Sequence, residues 1–266
     1  MLTLALTLAF GLQAEEPALV FLLAGQSNMG GHAKGPAPEA YRGQPANVLF
    51  FEAGDFRTLG PRDYDSGAVL RKGDKGIGRF GPEVSFGHEI AKAFPRRTII
   101  LVKLGPGGTP LAGQWTPEVR GLHYDKLLEE YRAATKGRHV VPAAVIWAQG
   151  TADAMNEEAA RAYGANLKLL VERLRKDLSA PDLPFLYSSY APDEAIDEAT
   201  LQKRPFLKQV VAGYAETARL VPGMARVSRT GLTTLGGDDP HYDAAGQIEF
   251  GRRYAAVCLE LLKAKK

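Results

Sequence analysis

The chain has 266 residues, of which 45% are hydrophobic and 24% charged, the balance of a globular protein able to bury a sizeable core. Its net charge of +3 comes from scattered Lys and Arg, so nothing points to a nucleic-acid face or a membrane surface. The single cysteine, Cys258, excludes an intrachain disulfide and a thiolate metal centre.

Residues 3–12, Thr-Leu-Ala-Leu-Thr-Leu-Ala-Phe-Gly-Leu, are apolar but too few to span a bilayer. With Gln13-Ala14-Glu15-Glu16 following, they read as the core of a secretory leader cleaved after Ala14. No Lys or Arg precedes the run, and Leu12 is large for its place before the cleavage point. The expectation is export to the periplasm or the extracellular space, with residues 15–266 forming one domain.

From Val20 onward, apolar runs of strand length alternate with helical patterns, which argues for βαβ units and a parallel sheet. The first run, Val20-Phe21-Leu22-Leu23-Ala24, stops abruptly in Gly25-Gln26-Ser27-Asn28. Residues 30–81 are rich in Gly and Pro, interrupted by the strand pattern Asn47-Val48-Leu49-Phe50-Phe51, and residues 57–79 read as a polar loop. Gly81-Pro82-Glu83 opens a helix, and Thr98-Ile99-Ile100-Leu101-Val102-Lys103-Leu104 is the clearest buried strand. Tyr124, Leu127, Leu128 and Tyr131 mark the next helix, before a strand at Ala143-Ala144-Val145-Ile146-Trp147-Ala148. Asn156 caps a long amphipathic helix with Glu157 and Glu158 in its first turn. Pro184-Phe185-Leu186-Tyr187-Ser188 is a strand, and residues 199–220 are helical apart from a break at Pro205. The last helix lays Ala244, Ile248, Gly251, Ala255, Cys258 and Leu262 on one face, its glycines implying close backbone packing and Cys258 a core place.

The expected fold is therefore a three-layer α/β/α domain around a parallel sheet of about five strands. Glycine-rich clusters follow the strands ending near Ala24, Leu104 and Ala148, so the three should meet at one sheet edge, where open α/β sheets bind ligands. Ser27 at that edge is placed like a nucleophile. Serine catalysis also needs a base and an orienting carboxylate. Asp238-Asp239-Pro240-His241, just before the last helix, offers both. Spacing alone leaves Asp238 and Asp239 equally able to hold the imidazole.

These blocks resemble the SGNH/GDSL hydrolase superfamily, and within it the carbohydrate esterase family six and sialate O-acetylesterase group. Gly25-Gln26-Ser27-Asn28-Met29 matches the nucleophile block, Gly107-Gly108-Thr109-Pro110 the second and Trp147-Ala148-Gln149-Gly150 the third. Asp238-Asp239-Pro240-His241-Tyr242, leading to Gly246 and Gly251-Arg252-Arg253-Tyr254-Ala255, matches the last, and Gly81-Pro82-Glu83 is similar to a further segment. The third block departs from the group, with Thr151 where a glutamate is usual.

The resemblance implies a flavodoxin-like SGNH fold and a serine esterase removing acetyl groups from a carbohydrate, either acetylated xylan-like polysaccharide or O-acetylated sialic acid. It implies Ser27 as nucleophile, His241 as base and, from its Asp-x-x-His pattern, Asp238 as the acid. Oxyanion donors would be the N–H groups of Ser27 and Gly107, with the Gln149 side chain as a further candidate. No metal or cofactor is expected, and no nucleic-acid or membrane partner. Gln26 and Asn28 are read as residues that orient loops or touch the leaving group, without a catalytic role, and His32 and His123 as loop or helix-surface residues. Two alternatives stand beside this reading: a lipolytic or thioester hydrolase of the same superfamily, and a carbohydrate-binding domain without activity. The polar loops, with Arg42, Arg57, Arg62, Arg71 and Arg79, favour a sugar.

Overall fold

The first strand, β1 (Ala18–Gly25), is buried along its whole length. Its side chains alternate between two cores, as a strand period of two requires. Val20, Leu22 and Ala24 enter one hydrophobic cluster, and Leu19, Phe21 and Leu23 enter another. A strand buried on both faces reads as a continuous apolar run, which is why β1 was so plain in the sequence.

The computed structural model describes residues 16–61, 78–236 and 239–264. The leader expected over residues 1–14 and most of the polar loop at 57–79 lie outside them. Among the described residues, no helix is long and apolar enough to cross a membrane.

After β1 come the one-turn helix α1 (Ser27–Gly30), β2 (Ala33–Lys34), β3 (Val48–Glu52), β4 (Asp55–Arg57) and β5 (Arg79–Phe80). Then follow α2 (Glu83–Ala93), β6 (Ile99–Leu104), α3 (Leu111–Gln114), α4 (His123–Thr135) and β7 (Val140–Ala148). The remainder is α5 (Glu157–Arg161), α6 (Tyr163–Asp177), β8 (Phe185–Ser189), α7 (Glu198–Lys203), α8 (Leu207–Leu220), β9 (Met224–Ser228), β10 (Thr234–Gly236), β11 (Asp239–Tyr242) and α9 (Ala244–Lys263).

The main sheet has seven strands in the order β4-β3-β6-β1-β7-β8-β9. All pairings are parallel except that of the edge strand β4 with β3. The five expected strands are all present. The two additional ones, β4 and β9, carry too little apolar pattern to announce themselves: β9 has only Val227 buried. Helices α4, α6 and α8 pack Leu127, Leu167, Leu170 and Val210 into the first cluster. Helices α2 and α9 cover the other face with Phe86, Ile90, Phe250, Tyr254 and Cys258. The three-layer reading holds.

Several local expectations are met for their stated reasons. Asn156 accepts a bond from Ala159 N as a helix cap should. Pro205 separates α7 from α8, since it can neither donate nor continue a helix. A Cβ on Gly251 would lie 2.2 Å from Pro82 O, so only glycine lets α9 approach α2 this closely.

The sheet order places the site. Chain connections run from β1 to one side through β3 and β6, then return to the other side through β7, β8 and β9. That reversal opens a crevice beyond the carboxyl ends of β1, β6 and β7. Register keeps those ends level, with Ala24 opposite both Leu104 and Trp147, and Gly25 opposite Ala148.

Candidate active site

The chain leaves β1 through Gly25, at φ +145°. A Cβ there would stand 2.2 Å from Ala148 O, so glycine is required for both conformation and space. Gln26 N then donates to Ala148 O at 2.9 Å, and the chain turns into α1 with Ser27 as its first residue. The loop after β6 closes on the same turn. A Cβ on Gly105 would lie 2.3 Å from Gly30 N, and one on Gly107 would lie 3.8 Å from Ser27 Cβ. The expected meeting of the glycine-rich loops is therefore a physical contact.

Beneath α1 sits a buried ion cluster. Lys103 Nζ donates to Gly30 O at 2.7 Å and to Glu83 Oε2 at 2.8 Å, with Glu52 Oε1 at 3.5 Å. Glu83 Oε1 accepts from Gly81 N at 3.0 Å. The Gly-Pro-Glu segment is thus wired through Lys103 to the backbone of the Ser27 turn.

The far end of the chain arrives through the β10–β11 ribbon. Asn28 Oδ1 accepts from Tyr242 N at 3.1 Å, and Asn28 Nδ2 reaches Pro240 O at 3.4 Å, so one side chain brackets His241. Gln247 Nε2 on α9 donates to Asn28 O at 3.2 Å. Asn28 orients a loop, as expected, and that loop carries the histidine.

His241 Nδ1 lies 2.5 Å from Asp239 Oδ1, which also accepts the backbone N–H of His241 at 3.0 Å. A carboxylate on Nδ1 keeps the proton there and leaves the Nε2 lone pair available as a base. Asp238, the position given by the Asp-x-x-His pattern, lies outside the described residues.

Ser27 and His241 line one cleft of about 1100 Å³, shared with Gly107, Gly108 and Thr109 on one wall and Lys203, Arg204 and Arg229 on another. A volume of this order can take a saccharide unit with part of its neighbours. Burial, and then the neighbouring Arg229, hold the pKa of Arg204 below its ordinary value. The Arg229 guanidinium sits 4.7 Å from the Tyr190 ring centre.

Gln149 is placed differently from the oxyanion expectation. Its Nε2 donates to Thr109 O at 3.0 Å and to Asp153 Oδ2 at 2.6 Å, and its Oε1 accepts from Tyr163 at 2.8 Å. Both amide hydrogens are thus engaged with protein oxygens. The side chain is buried and does not line the cleft, so its work in this structure is to anchor the Thr109 loop.

Asp153 extends that anchor, accepting from Leu111 N at 2.8 Å and Ala112 N at 3.0 Å. Thr151, the departure in the third block, meets Gln26 Nε2, and Gln26 Oε1 accepts from Ala152 N at 3.3 Å. The first and third blocks are therefore joined side by side.

Two histidines assigned to loop or helix surfaces belong to the site region. His123 lines the cleft beside Trp115, and burial lowers its pKa. His32 stacks on His241, ring centres 3.9 Å apart and planes 19° from parallel. No spacing rule links residues so distant in sequence. His88 is buried on Val84 O, and Cys258 is buried with its thiol pushed up to about 12 by desolvation.

The family model described as carbohydrate esterase, sialic acid-specific acetylesterase, matches residues 17–260. A protein of Arabidopsis thaliana described as a probable carbohydrate esterase is 27% identical over 197 residues, covering 66% of this chain and 70% of that one. The solved structure of an Arabidopsis thaliana protein aligns with a TM-score of 0.71 at 24% identity, covering 92% of this chain and 99% of that one. The structure of NanS aligns at 0.70 and 16% identity, over 93% of this chain and 98% of that one. That of a carbohydrate acetylesterase from Xanthomonas citri aligns at 0.58 and 17% identity, over 92% of this chain but 57% of that one. The chain belongs to the carbohydrate esterase family described as sialic acid-specific acetylesterases, and it is a carboxylic ester hydrolase.

Proposed function

We propose that the protein removes acetyl groups from an acetylated carbohydrate through a Ser-His-Asp triad. The observation that carries this is the bracketing of His241 by Asn28, the residue next to Ser27, with a carboxylate on Nδ1 of the imidazole. Ser27 Oγ attacks the ester carbonyl while His241 Nε2 takes its proton, and the imidazolium returns that proton to the departing sugar hydroxyl. Water then repeats the sequence on the acetyl-enzyme, releasing acetate. Backbone N–H groups of Ser27 and Gly107, residues that both line the cleft, are the proposed oxyanion donors.

The acid comes from the Asp238–Asp239 pair. The family pattern favours Asp238, whereas the contact with His241 Nδ1 favours Asp239. Substituting each by Asn separates them. The variant that loses the orienting carboxylate should fall in kcat by on the order of 10⁴-fold, and the other far less.

Of the two substrate classes, Lys203, Arg204 and Arg229 on the cleft wall favour a sugar carrying a carboxylate, such as O-acetylated sialic acid, over neutral acetylated xylan. The test is acetate release from both classes by wild type and Ser27→Ala. Turnover lost in the variant supports the triad, and a wild-type rate no higher than that of Ser27→Ala supports a binding domain. A higher kcat/KM on the neutral polymer would overturn the acidic-sugar reading alone.

A further inference from the structure

His32 follows the tight turn at Gly31, where a Cβ would lie 2.4 Å from Gly81 Cα. It leads directly into β2, which pairs with β5 so that Lys34 faces Arg79. This two-stranded ribbon brings the buried Arg79 alongside His32, with Nη1 3.0 Å from His32 Nδ1. A guanidinium can only donate, so His32 Nδ1 must accept. That bond defines the neutral tautomer with its proton on Nε2. The ring so held lies against His241, nearly parallel at 3.9 Å.

We propose that His32 is a positioning residue for the base: a neutral ring, fixed by Arg79, against which the His241 imidazole lies flat. The inference rests on the triad reading given above. His241 is then constrained on two sides, by a carboxylate at its edge and by a ring on its face. Charge explains why the supporting ring must be neutral. Asp239 from β11 meets His241 and Arg79 from β5 meets His32. The cleft both rings line also holds Lys203, Arg204 and Arg229, with Lys103 paired to Glu52 and Glu83 and Lys126 paired to Glu130. A protonated His32 would set a second cation face to face with the imidazolium that forms during acyl transfer. A neutral ring instead offers that imidazolium a π face.

Turnover of a chromogenic acetyl ester by His32→Ala and His32→Phe tests the role. Loss of the supporting face should lower kcat by on the order of 10- to 100-fold with KM little changed. Phenylalanine restores a flat face and should recover most of that loss. Wild-type kcat in His32→Ala, or a loss in His32→Phe as large as in His32→Ala, would overturn the proposal. Nitrogen-15 NMR of the histidine rings supplies a readout independent of activity. The expected result is a neutral His32 with its proton on Nε2 at neutral pH, and a cationic His32 there would overturn it. An enzyme inactive on every ester with this NMR pattern intact would refute the triad reading and leave the Arg79–His32 hold standing.

Discussion

Asn28 holds both chain neighbours of His241, donating to Pro240 O at 3.4 Å and accepting from Tyr242 N at 3.1 Å. These groups are more than two hundred residues apart in sequence, yet one side chain ties the His241 loop to the turn that carries Ser27. Asn28→Ala removes both bonds. We expect kcat to fall by on the order of 10²-fold, as small misplacements of reacting groups do. Stability should fall by about 1 kcal/mol, since the Pro240 bond is exposed and only the Tyr242 N–H is partly shielded from water. Steady-state kinetics with urea unfolding checks both, and unchanged kcat would show that α9 alone positions the ribbon.

Lys103 is fully buried between Glu83 and the carbonyl of Gly30. Lys103→Met leaves Glu83 without its ammonium and frees the end of the Ser27 turn. Removing one partner of a buried pair costs about 3–5 kcal/mol, far more than a surface pair would. A loss in chemical denaturation below about 1 kcal/mol would mean that the cluster is solvated in solution.

Asp153 accepts from Leu111 N, Ala112 N and Gln149 Nε2, although burial raises its pKa. Asp153→Asn keeps the shape but turns one acceptor into a donor facing donors. A destabilisation of about 1–3 kcal/mol is expected, with a lower kcat because the loop carrying Gly107 loses its anchor. An active, equally stable variant would show that these bonds do not hold the loop in place.

His123 gives a pH dependence whose sign is definite. Burial lowers its pKa in the folded protein, so below about pH 6.5 the unfolded chain binds protons that the folded one refuses. Stability from this group is present above that pH and is lost as pH falls through it. Melting temperature should therefore drop more steeply between pH 7.5 and 5 (roughly bracketing the free histidine value) in wild type than in His123→Gln. Parallel curves would place His123 in solvent.

The sheet was legible because buried parallel strands write continuous apolar runs, as in β1 and β6, and covering helices write a period of 3.6. β9 was not, since only Val227 in it is buried and pairing with β8 alone defines it. Ser27 and His241 were expected together from motifs at opposite ends of the chain, and both line one cleft. Gln149 could be named as well, but its hydrogen-bond partners could not. A side-chain amide serves an oxyanion or a protein carbonyl equally well, and only the positions of Thr109 and Asp153 decide which.

What the sequence determined by itself was the α/β class, the order of strands and helices, and the motifs that mark this esterase family. Local pattern is enough for these, because burial periodicity, caps and turn residues act over a few positions. The tertiary structure decided which side chains touch: the stack of His32 on His241, the Asp239 contact, and the Lys103 cluster under the Ser27 turn. The stack and the cluster depend on which side chains from different strand ends reach one another where the sheet order reverses, and the Asp239 contact on the local course of β11. Spacing along the chain encodes none of these contacts.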